Sequence, residues 1–94
     1  MKAIKIQHNS VSIIEIEHAP EDLEKEIGGE IEQVMMRGGA AVVYDKDGIS
    51  KKLLHNDLAS YISCRHIYGD ALIIGFELDR YCDVPEWYYV WLGN

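Results

Sequence analysis

The stretch Ile67-Tyr68-Gly69-Asp70-Ala71-Leu72-Ile73-Ile74-Gly75-Phe76 constrains the fold more than any other part of the chain. Its four consecutive apolar residues, bounded by glycines, have no polar face, so an extended segment here needs cover on both sides. The Gly69-Asp70 pair supplies the turn from which that strand is entered. The stretch holds no nucleophile, general base or metal-ligand set. It fixes the centre of a β-rich domain and leaves function to other segments.

At 94 residues the chain reads as one domain, residues 1–94, near the lower size limit for a self-sufficient core. An apolar fraction of 48% is ordinary for a folded protein and too high for a disordered one. No apolar run approaches the roughly 20 residues of a membrane helix. Met1-Lys2-Ala3-Ile4-Lys5-Ile6-Gln7 alternates charged and apolar residues and lacks a signal peptide's continuous apolar centre. The expectation is a cytoplasmic protein with no membrane partner. Cys64 and Cys82 are widely spaced, which favours free thiols over a disulfide framework. Small size without disulfides makes a homodimer a reasonable expectation, since a second subunit adds buried area.

The net charge of −7 is concentrated in one segment. Glu15, Glu17, Glu21, Asp22, Glu24, Glu26, Glu30 and Glu32 stand against Lys25 alone, and the remaining chain is balanced. Such a surface repels nucleic acid and suits a basic protein partner.

Residues 2–7 and 11–17 read as strands joined through a turn at His8-Asn9-Ser10. The Ile13-Ile14 doublet breaks alternation and predicts burial on both faces or a bulge. A short helix follows from Pro20 to about Ile27, with proline at its first position, acids in its first turn and Gly28 as its stop. Residues 30–36 and 40–44 read as strands three and four, and Asp45-Lys46-Asp47-Gly48 as a hairpin loop returning residues 49–53 as a fifth. Asn56 is a good cap for a second helix over residues 56–62. After the strand at 71–76, residues 87–92 read as a terminal strand behind Pro85. The predicted class is α+β: a small, mostly antiparallel sheet of five to seven strands, open or curled into a barrel, with two short helices.

Three stretches together resemble an uncharacterised family carried by phages, plasmids and related bacterial elements, the domain of unknown function 3846. They are Ile27-Gly28-Gly29-Glu30-Ile31-Glu32; Val42-Val43-Tyr44-Asp45-Lys46-Asp47-Gly48 with Lys51-Lys52-Leu53; and Asn56, Ala59, Ile67, Gly69-Asp70 and Ile73-Ile74-Gly75 in order. The likeness covers about residues 11–76. Where the family commonly has prolines before the matched asparagine and a basic residue after it, this chain has Leu54-His55 and Asp57. The resemblance implies a small accessory protein of a mobile genetic element. It brings no activity, substrate or cofactor with it.

No catalytic, metal or cofactor residues are assigned. His55, Cys64, His66 and Cys82 are zinc-type ligands, but only Cys64-Arg65-His66 is closely spaced, whereas structural zinc sites pair close spacings. A Cys64/His66 nucleophile pair on one strand face lacks an orienting third group. Asp45-Lys46-Asp47-Gly48 lacks the downstream glutamate of a calcium loop. The binding candidates are therefore surfaces. Glu21, Asp22, Glu24 and Glu26 form an acidic helix face, able to mimic DNA toward a host protein or simply to be solvated. Trp87, Tyr89 and Trp91 would share one face of the terminal strand, as core or as an edge pairing with a second subunit. Asn56 and Asp70 would border a small-molecule pocket. The expected function is protein binding, with inhibition of a host factor as one form of it; small-molecule sequestration is the alternative and an enzyme ranks third.

Overall fold

The computed structural model describes residues 1–8 and 10–92. The chain forms an open six-stranded sheet that is antiparallel throughout, with helices on both faces. Strand β5 (Ala71–Glu77) lies at its centre, and Leu72, Ile73 and Ile74 are fully buried. The glycine-bounded apolar run therefore sits where its missing polar face requires. Each of these side chains contributes about 2 kcal/mol of burial. On one side β5 pairs with β4 (Ala40–Asp45), buried along its whole length, and β4 with β3 (Ile31–Met36), a margin of the sheet. On the other side β5 pairs with β1 (Lys2–Gln7), and β1 with β2 (Ser10–Glu15), the opposite margin.

Side-chain alternation divides the core in two. Ala3, Val43, Leu72 and Ile74 face helix α1 (Glu21–Ile27), which contributes Leu23 and Ile27. Ile4, Ile6, Ala40, Val42, Ala71 and Ile73 face the other way. There they meet Ala59 and Ile62 of α2 (Asp57–Ser63) and Tyr88 of α3 (Trp87–Trp91). Both cores share one sheet, so every central strand is apolar on both faces. Helix α1 starts one residue after Pro20, which occupies its N-cap, and stops at Gly28, whose φ of 92° suits glycine. None of the described helices is long and apolar enough to cross a membrane.

Several expectations are corrected. Residues 49–53 form no strand, because β4 already has neighbours on both edges and the chain winds back on itself. Lys51 N–H donates to Asp47, Lys52 N–H to Ile49 and Leu53 N–H to Gly48. The buried Asp45 carboxylate holds this coil, accepting from Asp47 N–H and from Lys51 Nζ, each at 2.8 Å. Residues 87–92 are not a strand: 87–91 form a third helix. Tyr88 N–H donates to Pro85 and Tyr89 N–H to Glu86, so the turn after the proline winds into α3. The helix buries Tyr88 and leaves Trp87, Val90 and Trp91 exposed; Trp87, Tyr89 and Trp91 thus share no strand face. The sheet does not close into a barrel, because β2 and β3 keep free edges. The Ile13-Ile14 doublet makes neither a bulge nor a doubly buried pair: register with β1 is one-to-one and Ile13 is half exposed. The predicted turn at residues 8–10 includes Asn9, outside the described residues.

A short strand, β6 (Arg80–Cys82), escaped the sequence reading. It reaches β5 through a turn in which Leu78 and Asp79 take positive φ without glycine, so no turn signal announces it. Gly75 lies between Ala40 on one side and Cys82 on the other. A Cβ at Gly75 would run into the Asp83 carbonyl oxygen, so only glycine admits this close approach. Beyond β6, Val84 N–H donates to the Lys2 carbonyl and Lys2 N–H to the Asp83 carboxylate, fastening the chain before α3 to the start of β1.

Candidate functional site

An apolar surface lies between α3 and the end of β3. Burial of Tyr88 anchors it: the ring is fully enclosed and its hydroxyl donates to the Arg37 carbonyl at 3.1 Å. Enclosure pushes the Tyr88 phenol pKa up. Trp87 stacks on Tyr88 with ring centres 3.9 Å apart, and Trp91, one turn later, brings its ring within 6.0 Å of Trp87. Gly38, with φ of 77°, lets the Trp87 indole lie against the β3–β4 turn. Met35, Met36, Ile62 and Cys64 complete a groove of about 360 Å³ with both tryptophans on its wall. Trp87 and Trp91 are about half exposed and Met35 is 52% exposed. Aromatic and methionine side chains bordering an open groove are the usual anchors of protein interfaces.

The second surface surrounds Asn56. This side chain is buried and all of its hydrogen-bonding groups are engaged. Nδ2 donates to the carbonyls of Ile6 and Gly69, both at 2.9 Å, and Oδ1 accepts from Ala59 N–H at 3.1 Å as the cap of α2. Asn56 therefore locks β1, the Gly69 turn and α2 together. Beside it, Leu53, Leu54, Ile27, Gly69 and Asp70 line a hollow of about 300 Å³, with His8 and His55 at its rim. Asp70 lies 3.9 Å from Lys5 Nζ, whose shorter bond is to Glu26 at 2.9 Å. Lys5 thus brings Glu26 and Asp70 together, and the hollow brings Asp70 beside Asn56.

Next to this hollow runs a polar row that the sequence reading missed. Asp57 Oδ1 lies 2.6 Å from His55 Nδ1, and His55 Nε2 lies 3.2 Å from Ser60 Oγ and 3.4 Å from His66 Nδ1. An acid–imidazole–hydroxyl order invites comparison with a hydrolytic relay. However, the Ser60 hydroxyl already accepts from Ile67 N–H at 2.8 Å and so joins α2 to the following loop. The spacing i, i+2, i+5 across a helix start was the available signal. Cys64 does not share a strand with His66: it ends α2 in left-handed geometry, with φ of 59°. Both cysteines are free, and no cluster of three or more potential metal ligands occurs among the described residues.

The acidic segment is not one face. On α1, Asp22 turns inward and accepts from His18 N–H at 2.9 Å and Glu17 N–H at 3.2 Å. The His18 bond chiefly holds its pKa below the ordinary carboxylate range, against a partial desolvation in the other direction. Glu26 serves Lys5, which leaves Glu21 and Glu24 exposed. At the start of β3, Glu30 pairs with Lys46 at 3.3 Å and Glu32 accepts from the Tyr44 hydroxyl at 3.0 Å. Burial first, and that acceptor second, raise the Tyr44 pKa.

Sheet, helices and surfaces together define a small α+β protein with an aromatic groove on its surface. The chain belongs to the family described as domain of unknown function DUF3846, whose model matches residues 1–90, beyond both ends of the stretch carrying the motifs. No curated protein and no solved structure matches the chain.

Proposed function

We propose that this protein acts by binding another protein, and that it serves a phage, plasmid or integrated element inside the host cytoplasm. The observation supporting this reading is the groove between α3 and β3, with Trp87, Trp91, Met35 and Met36 presented around a hollow large enough for partner side chains. The partner is a basic host factor that the binding inhibits: the net charge is −7, and Glu21, Glu24, Glu30 and Glu32 are exposed. The same charge disfavours direct contact with nucleic acid.

Affinity capture from host lysate, comparing wild type with Trp87→Ala/Trp91→Ala, tests the reading. A partner retained by wild type and lost by the folded variant is expected. Identical recovery by both proteins overturns the assignment of the groove. A second reading, a small-molecule-binding protein, draws support from the hollow beside Asn56, Gly69 and Asp70. It predicts a co-purified metabolite or a ligand-dependent rise in melting temperature, undiminished by the tryptophan substitutions.

A further inference from the structure

Residues 87–91 are helical and offer no strand edge to a second copy, so neither the core strand nor the pairing edge expected there exists. The structure offers another edge. Among the described residues β3 pairs only with β4, so alternate N–H and C=O groups along its outer margin face solvent. Sheet margins are commonly protected by proline, lysine or a bulge. Strand β3 has none of these: its sequence is Ile31-Glu32-Gln33-Val34-Met35-Met36, and its register with β4 is one-to-one throughout.

We infer that β3 is the contact between two copies of this chain, paired antiparallel about a two-fold axis near Val34. Charge selects this occupant and this direction. Glu30, which pairs with Lys46 through Oε2, and Glu32, which accepts from the Tyr44 hydroxyl through Oε1, stand exposed at the start of the strand, and the exposed Arg37 follows its end. Arg37 has no carboxylate partner among the described residues. Antiparallel pairing sets Arg37 of each copy beside the Glu30–Glu32 end of the other, twice by symmetry. Parallel pairing would oppose like charges. The other margin lacks this self-complementarity, because β2 begins at the uncharged Ser10 and ends in Glu15, which already pairs with the Met1 ammonium of its own chain at 3.3 Å. Side chains keep their faces across such a junction, and the exposed Met35 comes to lie against Gln33 of the second copy. This inference goes beyond the proposed function: the junction uses the backbone margin of β3, whereas the groove is walled by Trp87 and Trp91 of α3, with Met35, Met36 and Arg37 common to the borders of both.

Sedimentation equilibrium of the full chain, from micromolar to near-millimolar concentration, tests it. A species of twice the 10.7 kDa chain mass is expected. Arg37→Glu should weaken the dimer at least about tenfold, and combining it with Glu30→Arg and Glu32→Arg should restore it. Met35→Lys, at a position exposed in the single chain, should also dissociate the pair; circular dichroism checks that each variant remains folded. A mass of one chain throughout the range overturns the inference. So does a dimer indifferent to Arg37→Glu and Met35→Lys, or one that the charge exchange does not restore. Because Met35 and Arg37 also border the groove, partner capture is judged on Trp87→Ala/Trp91→Ala, which leaves β3 unchanged, so either idea can fail alone.

Discussion

Asn56 is held at the meeting point of a strand, a turn and a helix. Replacing it with alanine strips hydrogen bonds from two carbonyls and from the first turn of α2. Buried groups left unpaired are costly, so Asn56→Ala should lower stability by about 3 kcal/mol, read as a shifted urea midpoint with unchanged slope. Asp22 gives a pH-dependent counterpart. Its pKa is depressed in the folded state by backbone donors. Its contribution is therefore present above the unfolded carboxylate pKa and lost as pH falls through the lower folded value. Asp22→Asn should melt below wild type near neutrality, and the gap should close in acid; a constant gap across that range would contradict the role given to these bonds. At this scale the sequence was partly legible. Asn56 was readable as a helix cap because cap chemistry is local, but its bond to Ile6, fifty residues away, was not. Asp22 read as part of a charged face because its inward turn toward His18 depends on the loop before α1.

The elements differ in how far local chemistry decides them. Strand β5 was readable because an unbroken apolar run has few other destinations, and α1 because acids, proline and Gly28 punctuate it. Helix α3 was misread because Trp, Tyr and Val are good strand formers. Its five residues carry too little intrinsic preference to resist that reading. Long-range docking settles the matter: Val84 is tied to β1 and Tyr88 enters the core of Ile4 and Ala40. Tyr88→Ala should thus cost about 4 kcal/mol, the range for an emptied aromatic site, whereas Trp91→Ala should cost under about 1 kcal/mol. Denaturant unfolding of the two variants measures the contrast; equal losses would mean that the whole aromatic end is structural. Residues 49–53 show the same limit in reverse, because Asp45 reaching Lys51 stabilises a coil that propensity alone reads as a returning strand.

At the scale of the molecule, one sheet covered on both faces accounts for the core, and what the two layers leave uncovered accounts for the surfaces. The α+β class and the antiparallel sheet were legible from the order of segments. Which margin stayed open was not, because short apolar strands pair in several ways until their partners are placed. The groove was legible only as a concentration of aromatics, since its shape needs α3, α2 and β3 in position together. Both tryptophans lie on it, and the chain has two. Binding there should therefore shift intrinsic fluorescence, and a captured partner that leaves the emission unchanged must sit elsewhere.

The function proposed for this chain is to hold another protein at this aromatic margin. Native mass spectrometry of the protein purified from its own host tests it most directly, because subunit number and retained partner are read together. A complex with a basic protein that disappears in Trp87→Ala/Trp91→Ala is expected. A spectrum containing this chain alone, or the same complex in the variant, would contradict it.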